Sequence, residues 1–281
     1  MRVAVTGASG FIGRYVLAEL EERGVECVAL VRPSSEKIRG HARCSVVEVD
    51  LHSPPPKAFE LMGRPDVLIH LAWSGLPDYG SLHHFENELP VQYRFLEDLI
   101  ASGLETLVIA GTCFEYGMQS GSLSESMAVH PTNPYGFAKD SLRRQLEYLK
   151  AVKPFQLAWA RLFYLHGDGQ FEKSLLPQLR MAAESGVPHF NMSGGEQLRD
   201  YLPVAVAARL LVSLALMEKD VGVVNVCSGI PISVRNLVEE WIKQNEWSIM
   251  PNFGHYDYPV YESMAFWGDP QKLISLIGKT T

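Results

Sequence analysis

The chain has 281 residues, 47% hydrophobic and 20% charged, with 25 Lys and Arg against 32 Asp and Glu for a net charge of −7. This length can bury enough surface for one large domain or two unequal lobes, which excludes disordered, collagen-like and disulfide-stapled classes. The acidic balance supplies no overall field for nucleic acid or an anionic membrane, so an anionic ligand must meet locally placed donors.

Short β-branched runs alternate with amphipathic stretches along the first part of the chain. The pattern predicts strands over 3–6, 26–31, 45–49, 67–72, 106–110 and 156–162, with helices over 11–23, 90–102 and 134–151. Near-continuously apolar strands alternating with helices argue an α/β fold with a doubly wound parallel sheet covered on both faces. Further on the rhythm loosens into helices over 174–184, 204–217 and 234–245 and a strand over 222–227. The four cysteines, Cys27, Cys44, Cys113 and Cys227, are far apart and sit in apolar surroundings, so they read as reduced thiols. No apolar run approaches the ~18 residues of a membrane span, and the expected location is the cytoplasm, without a membrane partner.

Gly7, Gly10 and Gly13 form a G-x-x-G-x-x-G run directly after the first strand, with Phe11 and Ile12 opening the first helix. Glycines there allow a tight turn and close approach to a pyrophosphate, whose charge meets the unpaired N–H groups of the helix start. The second strand runs into Arg32, Pro33, Ser34 and Ser35 with no acid. An acid at that place accepts hydrogen bonds from the adenosine ribose of NAD, whereas Arg32 with Ser34 can pair with a 2′-phosphate. NADP(H) is therefore the expected cofactor and NAD the alternative, with a solvated loop arginine the plain reading of Arg32. Asp50 and Leu51 follow the third strand, where an adenine amino group can be met, or Asp50 is an ordinary loop aspartate. Leu71 and Ala72 close the fourth strand, beneath the cofactor, and His70 reads as a hydrogen-bonded structural histidine.

Asn133 can cap, and Pro134 can open, a helix that places Tyr135 and Lys139 four apart on one face. An ammonium near a phenol favours the phenolate, so the pair can exchange a proton with an alcohol or carbonyl. Thr112 lies just past the strand over 106–110, at the edge where open α/β sheets meet their ligands. Rhythm and motifs together divide the chain into a dinucleotide-binding domain over 1–165, to which 196–227 returns, and a substrate-binding lobe from 166–195 and 228–281.

TGASGFIG at 6–13, HLA at 70–72, GTCFEYG at 111–117, YGFAK at 135–139, RLFYLHGDGQ at 161–170, LRDYLPV at 198–204, VNVCSG at 224–229 and WGDPQKL at 267–273 span nearly the whole chain. In these motifs it resembles the extended short-chain dehydrogenase/reductase superfamily, in its nucleotide-sugar epimerase, dehydratase and reductase branch. The resemblance implies a Rossmann-type fold with a small mixed α/β cap. It also implies a triad of Thr112, Tyr135 and Lys139, the last two also against the cofactor. Arg199 matches the family arginine at the substrate diphosphate, with a buried pair to Asp200 as the alternative. Asn191 and His166 fall where the sugar-nucleotide pocket is lined.

Cys113 and Phe114 stand where dehydratase members carry an Asp-Glu pair, and neither supplies that acid and base, so C5–C6 dehydration is not expected. Both are expected to line the substrate site. GTCFEYG resembles most the reductases of dTDP-linked 4-keto-6-deoxyhexoses. The resemblance thus implies NADPH-dependent reduction of a C4 carbonyl, with a nucleoside-diphosphate sugar as partner. The alternatives are an NAD-dependent nucleotide-sugar 4-epimerase and a non-catalytic NADP-binding sensor. It further implies a homodimer built on the helices over 90–102 and 134–151, where Leu142, Leu146 and Leu149 form a stripe that serves either an interface or the core. Nucleic acid is not an expected partner.

Overall fold

The computed structural model describes residues 1–33, 43–258 and 262–278. Seven strands make one wholly parallel sheet: β1 (Arg2–Thr6), β2 (Glu26–Val31), β3 (Cys44–Glu48), β4 (Val67–His70), β5 (Thr106–Thr112), β7 (Gln156–Leu162) and β11 (Gly222–Val226). Their order is β11-β7-β5-β4-β1-β2-β3. Every residue of β4 and β5 is buried, as strands covered on both faces must be. Helices α1 (Phe11–Glu22), α6 (Val204–Leu216) and α8 (Gln271–Ile277) pack one face. The other is covered by α2 (Ala58–Leu61), α3 (Leu89–Ala101) and α4 (Pro134–Val152). The direction of winding reverses between β1 and β4, which leaves a crevice at their carboxyl ends.

Smaller elements follow. β10 (Leu198–Pro203) pairs parallel with β8 (Tyr164–His166) and antiparallel with β12 (Pro231–Ser233). β9 (His189–Asn191) pairs with β13 (Met250–Asn252), and α5 (Leu175–Glu184) and α7 (Val234–Gln244) enclose a separate core around Leu179, Val238 and Trp241. β6 (Gly121–Leu123) and β14 (Phe266–Gly268) pair beside a further cluster of Tyr116, Phe163 and Cys227, just beyond the ends of the large sheet. The fold is the expected Rossmann-type parallel sheet with a small mixed cap.

One local reading changes and one open alternative is settled. The fourth strand stops at His70 because the Leu71 and Ala72 N–H groups turn to the Thr6 hydroxyl. The leucine stripe of α4 is core: Leu142 and Leu146 are fully buried against β4, β5 and α3, and Leu149 packs onto them. Among the described residues, no helix is long and apolar enough to cross a membrane.

Candidate active site

The crevice is shaped first by missing side chains. Gly7 turns at φ +65°, where a Cβ would lie 2.9 Å from the Ala72 nitrogen, and a Cβ on Gly13 would lie 2.2 Å from the Gly7 carbonyl oxygen. Gly10 leads into α1 in extended geometry with no side-chain cap, so the first N–H groups of the helix, at Phe11 and Ile12, remain for an anion. This cradle fits the pyrophosphate of a dinucleotide.

Behind it, Thr6 Oγ1 accepts the Leu71 and Ala72 N–H groups at 3.1 and 3.3 Å and faces His70 Nδ1 at 2.9 Å. His70 Nε2 meets Gln92 Oε1 at 2.8 Å, and Gln92 donates to Glu88 at 2.8 Å. Burial, with the Lys139 charge nearby, pulls the His70 imidazole down to about 3 and keeps it neutral. Arg32 stands exposed just past β2, and Ser34 lies outside the described residues. Asp50 is exposed and turns its carboxylate back onto the His52 N–H at 3.0 Å, while Leu51 is half-buried beside the sheet.

Thr112 ends β5 and caps the single 3-10 turn Cys113–Tyr116. Its hydroxyl accepts the Phe114 N–H at 3.3 Å, and its own N–H donates to Glu115 at 2.9 Å, a reciprocal capping box. α4 begins as the cap residues foretell, with Asn133 Oδ1 accepting the Gly136 N–H at 2.8 Å. That start delivers Tyr135 and Lys139 to the edge of β5, 8% and 2% exposed. Lys139 Nζ donates to the Ala110 carbonyl at 2.9 Å and sits 3.9 Å from the Trp73 ring centre and 5.9 Å from that of Tyr135. Burial draws the Lys139 ammonium down to about 7 while Glu115 and Glu88 oppose. Burial also raises the Tyr135 phenol, helped by Tyr79, Glu115 and Cys113, and the Thr112 hydroxyl acts in the opposite sense.

Tyr135 is surrounded by rings that no spacing in the sequence marks. Tyr79, Phe114, Trp73 and His84 have centroids within 5.2–6.3 Å of it. His84 accepts from Trp73 Nε1 and donates to the Asp78 carbonyl, which holds the tryptophan against Lys139. Cys113 is buried, and that burial raises its thiol well above the ordinary range.

Farther out, His166 is half-buried against Trp241 and Tyr201, and Asn191 is exposed and accepts from Asn252 at 2.8 Å. Arg199 is 2% exposed. Its Nη2 lies 2.7 Å and its Nε 3.2 Å from Glu262, and its Nη1 donates to the Leu198 and Met264 carbonyls. Asp200 is not its partner: that carboxylate accepts from Ser228, Gly229 and Gly268. The structure thus gathers Thr112, Tyr135, Lys139 and Phe114 and sets His166 and Asn191 within the cap.

A threonine, a buried tyrosine and a lysine beside a glycine-lined crevice place the chain among the NAD(P)-dependent oxidoreductases. Residues 3–227 match the NAD dependent epimerase/dehydratase family, and the chain belongs to it. It is 31% identical over 273 residues to the dTDP-6-deoxy-L-talose 4-dehydrogenase (NAD(+)) of Aggregatibacter actinomycetemcomitans, across 95% of this chain and 99% of that one. A GDP-6-deoxy-D-talose 4-dehydrogenase of the same organism is 25% identical over 308 residues, 99% of this chain and 92% of that one. The structure of MoeE5 in complex with UDP-glucose and NAD is 25% identical, with a TM-score of 0.83 over 100% of this chain and 93% of that chain.

Two expectations are corrected by these likenesses. NADP(H) gives way to NAD, which the family description, the first relative's name and the MoeE5 complex all carry. Arg32 is an exposed guanidinium, and a surface charge in water contributes little selectivity. NADPH-dependent reduction of a 4-keto sugar, implied by GTCFEYG and the cofactor reading together, falls with it: the matching family is described as NAD dependent epimerase/dehydratase, and the first relative's name gives a 4-dehydrogenase with NAD(+).

Proposed function

We propose that the protein is an NAD-dependent nucleotide-sugar 4-epimerase. The observation that carries this reading is the meeting of Thr112, Tyr135 and Lys139 at the carboxyl edge of β5, beside the cradle of Gly7, Gly10 and Gly13. When bound, NAD supplies a reversible hydride acceptor for the sugar C4. The cradle and the start of α1 hold its pyrophosphate, Asp50 and Leu51 meet its adenine, Leu71 and Ala72 run beneath it, and Lys139 holds its nicotinamide ribose. Thr112 hydrogen-bonds the C4 oxygen. Tyr135 would take the C4 hydroxyl proton from the sugar and hand it back to the C4 oxygen, the proton staying on the phenol in between. The cap residues Asn191 and His166 line the pocket with Cys113 and Phe114, and Arg199, whose fork is held by Glu262, would reach the diphosphate of the nucleoside-diphosphate sugar only on release from that carboxylate. The buried, reluctant thiol of Cys113 and the apolar Phe114 support C4 chemistry over C5–C6 dehydration.

A second reading is a net 4-dehydrogenase that releases the ketone, favoured by the 31% identical NAD(+) dehydrogenase. Both readings share the first half-reaction, so one assay separates them. With UDP-glucose, UDP-galactose and dTDP-6-deoxy-L-talose, an epimerase interconverts C4 epimers without net absorbance at the NADH band, and a dehydrogenase accumulates NADH. Tyr135→Phe should lower either turnover by about 100- to 10,000-fold with NAD binding retained. Full turnover in that variant removes Tyr135 from the chemistry.

A further inference from the structure

Glu115 lies inside the GTCFEYG motif, is fully buried, and uses both carboxylate oxygens. Oε1 accepts the Thr112 N–H and Trp159 Nε1, each at 2.9 Å, and Oε2 meets Arg161 Nε at 2.6 Å. Arg161 is 2% exposed, stacks 4.5 Å from the Tyr116 ring centre, and keeps a buried Nη1 without a partner. Desolvating such a pair is costly, and well-packed apolar replacements of buried pairs are often as stable. A stability role alone therefore does not account for it. Its location does: Glu115 is bonded to the backbone of Thr112, two residues beyond the carbonyl that receives Lys139.

We propose that Glu115, anchored by Arg161, is a positioning residue for the C4 chemistry, fixing Thr112 through its N–H and presenting a fixed negative charge to Tyr135 and Lys139. The proposal rests on the reading of Tyr135 as the proton-transfer group. The charge acts on both partners in one sense: it keeps the Lys139 ammonium charged against burial and makes the Tyr135 phenolate harder to form. Glu88 also favours the charged lysine, Tyr79 and Cys113 also raise the phenol, and the neutral His70 ring lies behind them. His84, on the remaining side, has both ring nitrogens bonded, to Trp73 and to the Asp78 carbonyl. Glu115 is the acid common to Tyr135 and Lys139, so its neutralisation should move both titrations downward.

The test compares Glu115→Gln, which removes the charge, with Glu115→Asp, which keeps the charge on a shorter arm. A paired Glu115→Gln, Arg161→Met variant avoids an uncompensated guanidinium should the single change fail to fold. Two readouts are followed against pH: NAD+-dependent oxidation of dTDP-6-deoxy-L-talose, and the 13Cε shift of Lys139 in 13C-lysine-labelled protein, assigned with Lys139→Met. In Glu115→Gln the basic limb of the rate and the Lys139 midpoint should both move about one pH unit lower, and in the paired variant, which also removes the Arg161 charge, they should move in the same sense by less. Glu115→Asp should keep both midpoints and lose turnover as Thr112 loosens. Unmoved midpoints in the neutral variants, or equal movement in Glu115→Asp, overturn the proposal. The Lys139 readout needs no substrate, so it stands apart from the function itself: turnover retained in Tyr135→Phe sinks the reading of the site, whereas an inactive Tyr135→Phe with an unmoved Lys139 midpoint sinks only the role of Glu115.

Discussion

On the cofactor side of the crevice, Thr6, His70, Gln92 and Glu88 form an unbroken line of buried hydrogen bonds, and the surface facing the ligand is backbone shaped by glycines. On the sugar side, one guanidinium is held by an acid 63 residues away, and rings from β8, β10 and α7 fill the cap. The first side is defined by where atoms are excluded, the second by which side chains are present. A ligand read by backbone can be retained through extensive sequence change, and one read by side chains can be exchanged a few residues at a time. A common cofactor with varied sugars is what such a division permits.

The comparison breaks if the sugar side proves as intolerant as the cofactor side, and Asp200 is the place to look first. Four donors converge on its buried carboxylate, so Asp200→Ala should cost about 3 kcal/mol or more in chemical denaturation, the largest effect expected in the cap. Gly13→Ala probes the opposite side: the added methyl meets the Gly7 carbonyl, and NAD affinity by calorimetry should fall about 10- to 100-fold with sugar-nucleotide affinity little changed. Arg199→Lys should do the reverse, raising the sugar-nucleotide KM about 10-fold while leaving NAD binding alone, because an ammonium cannot make the fork's contacts to Glu262, Leu198 and Met264 that fix this side of the cap. A change in NAD affinity of equal size there would erase the distinction.

The remaining expected effect is a slope with pH, modest at any one pH step. His70 is held neutral in the fold to about pH 3 but gains a proton near 6.5 when unfolded. Between those values the unfolded chain binds the extra proton, so stability rises with pH and is lost as pH falls through the window, by at most about 1.4 kcal/mol per pH unit. His70→Asn should flatten that slope by one proton in denaturation curves taken across the window, and an unchanged slope would show that the titration lies elsewhere.

What could be read without coordinates follows the same division. The inner strands β1, β2, β4, β5 and β7 were legible because burial on both faces writes continuous apolar runs, the mostly exposed edge strand β3 showed only its β-branched residues, and Gly7 and Gly13 were legible because steric exclusion admits no other residue. The triad emerged from spacing only with the family resemblance beside it. The three-residue strands β6, β8, β9, β12, β13 and β14 are too short to carry a period. Trp73, Tyr79 and His84 come together around Tyr135 through loop packing, and Glu262 reaches Arg199 from the far end of the chain, so neither leaves a local mark. Arg32 misled because a solvated arginine and a phosphate clamp are written with the same letter.

The bare N-terminus of α1 has a thermodynamic consequence. Gly10 gives up the hydroxyl or amide that would have capped the helix, so no side chain at the cap satisfies the first-turn N–H groups. Whatever binds there stabilises the folded chain by mass action, about 2.7 kcal/mol at a hundredfold excess of ligand over its dissociation constant. The melting temperature of this protein should therefore rise with the concentration of dinucleotide around it, and its lifetime in a cell should track the supply of its own cofactor.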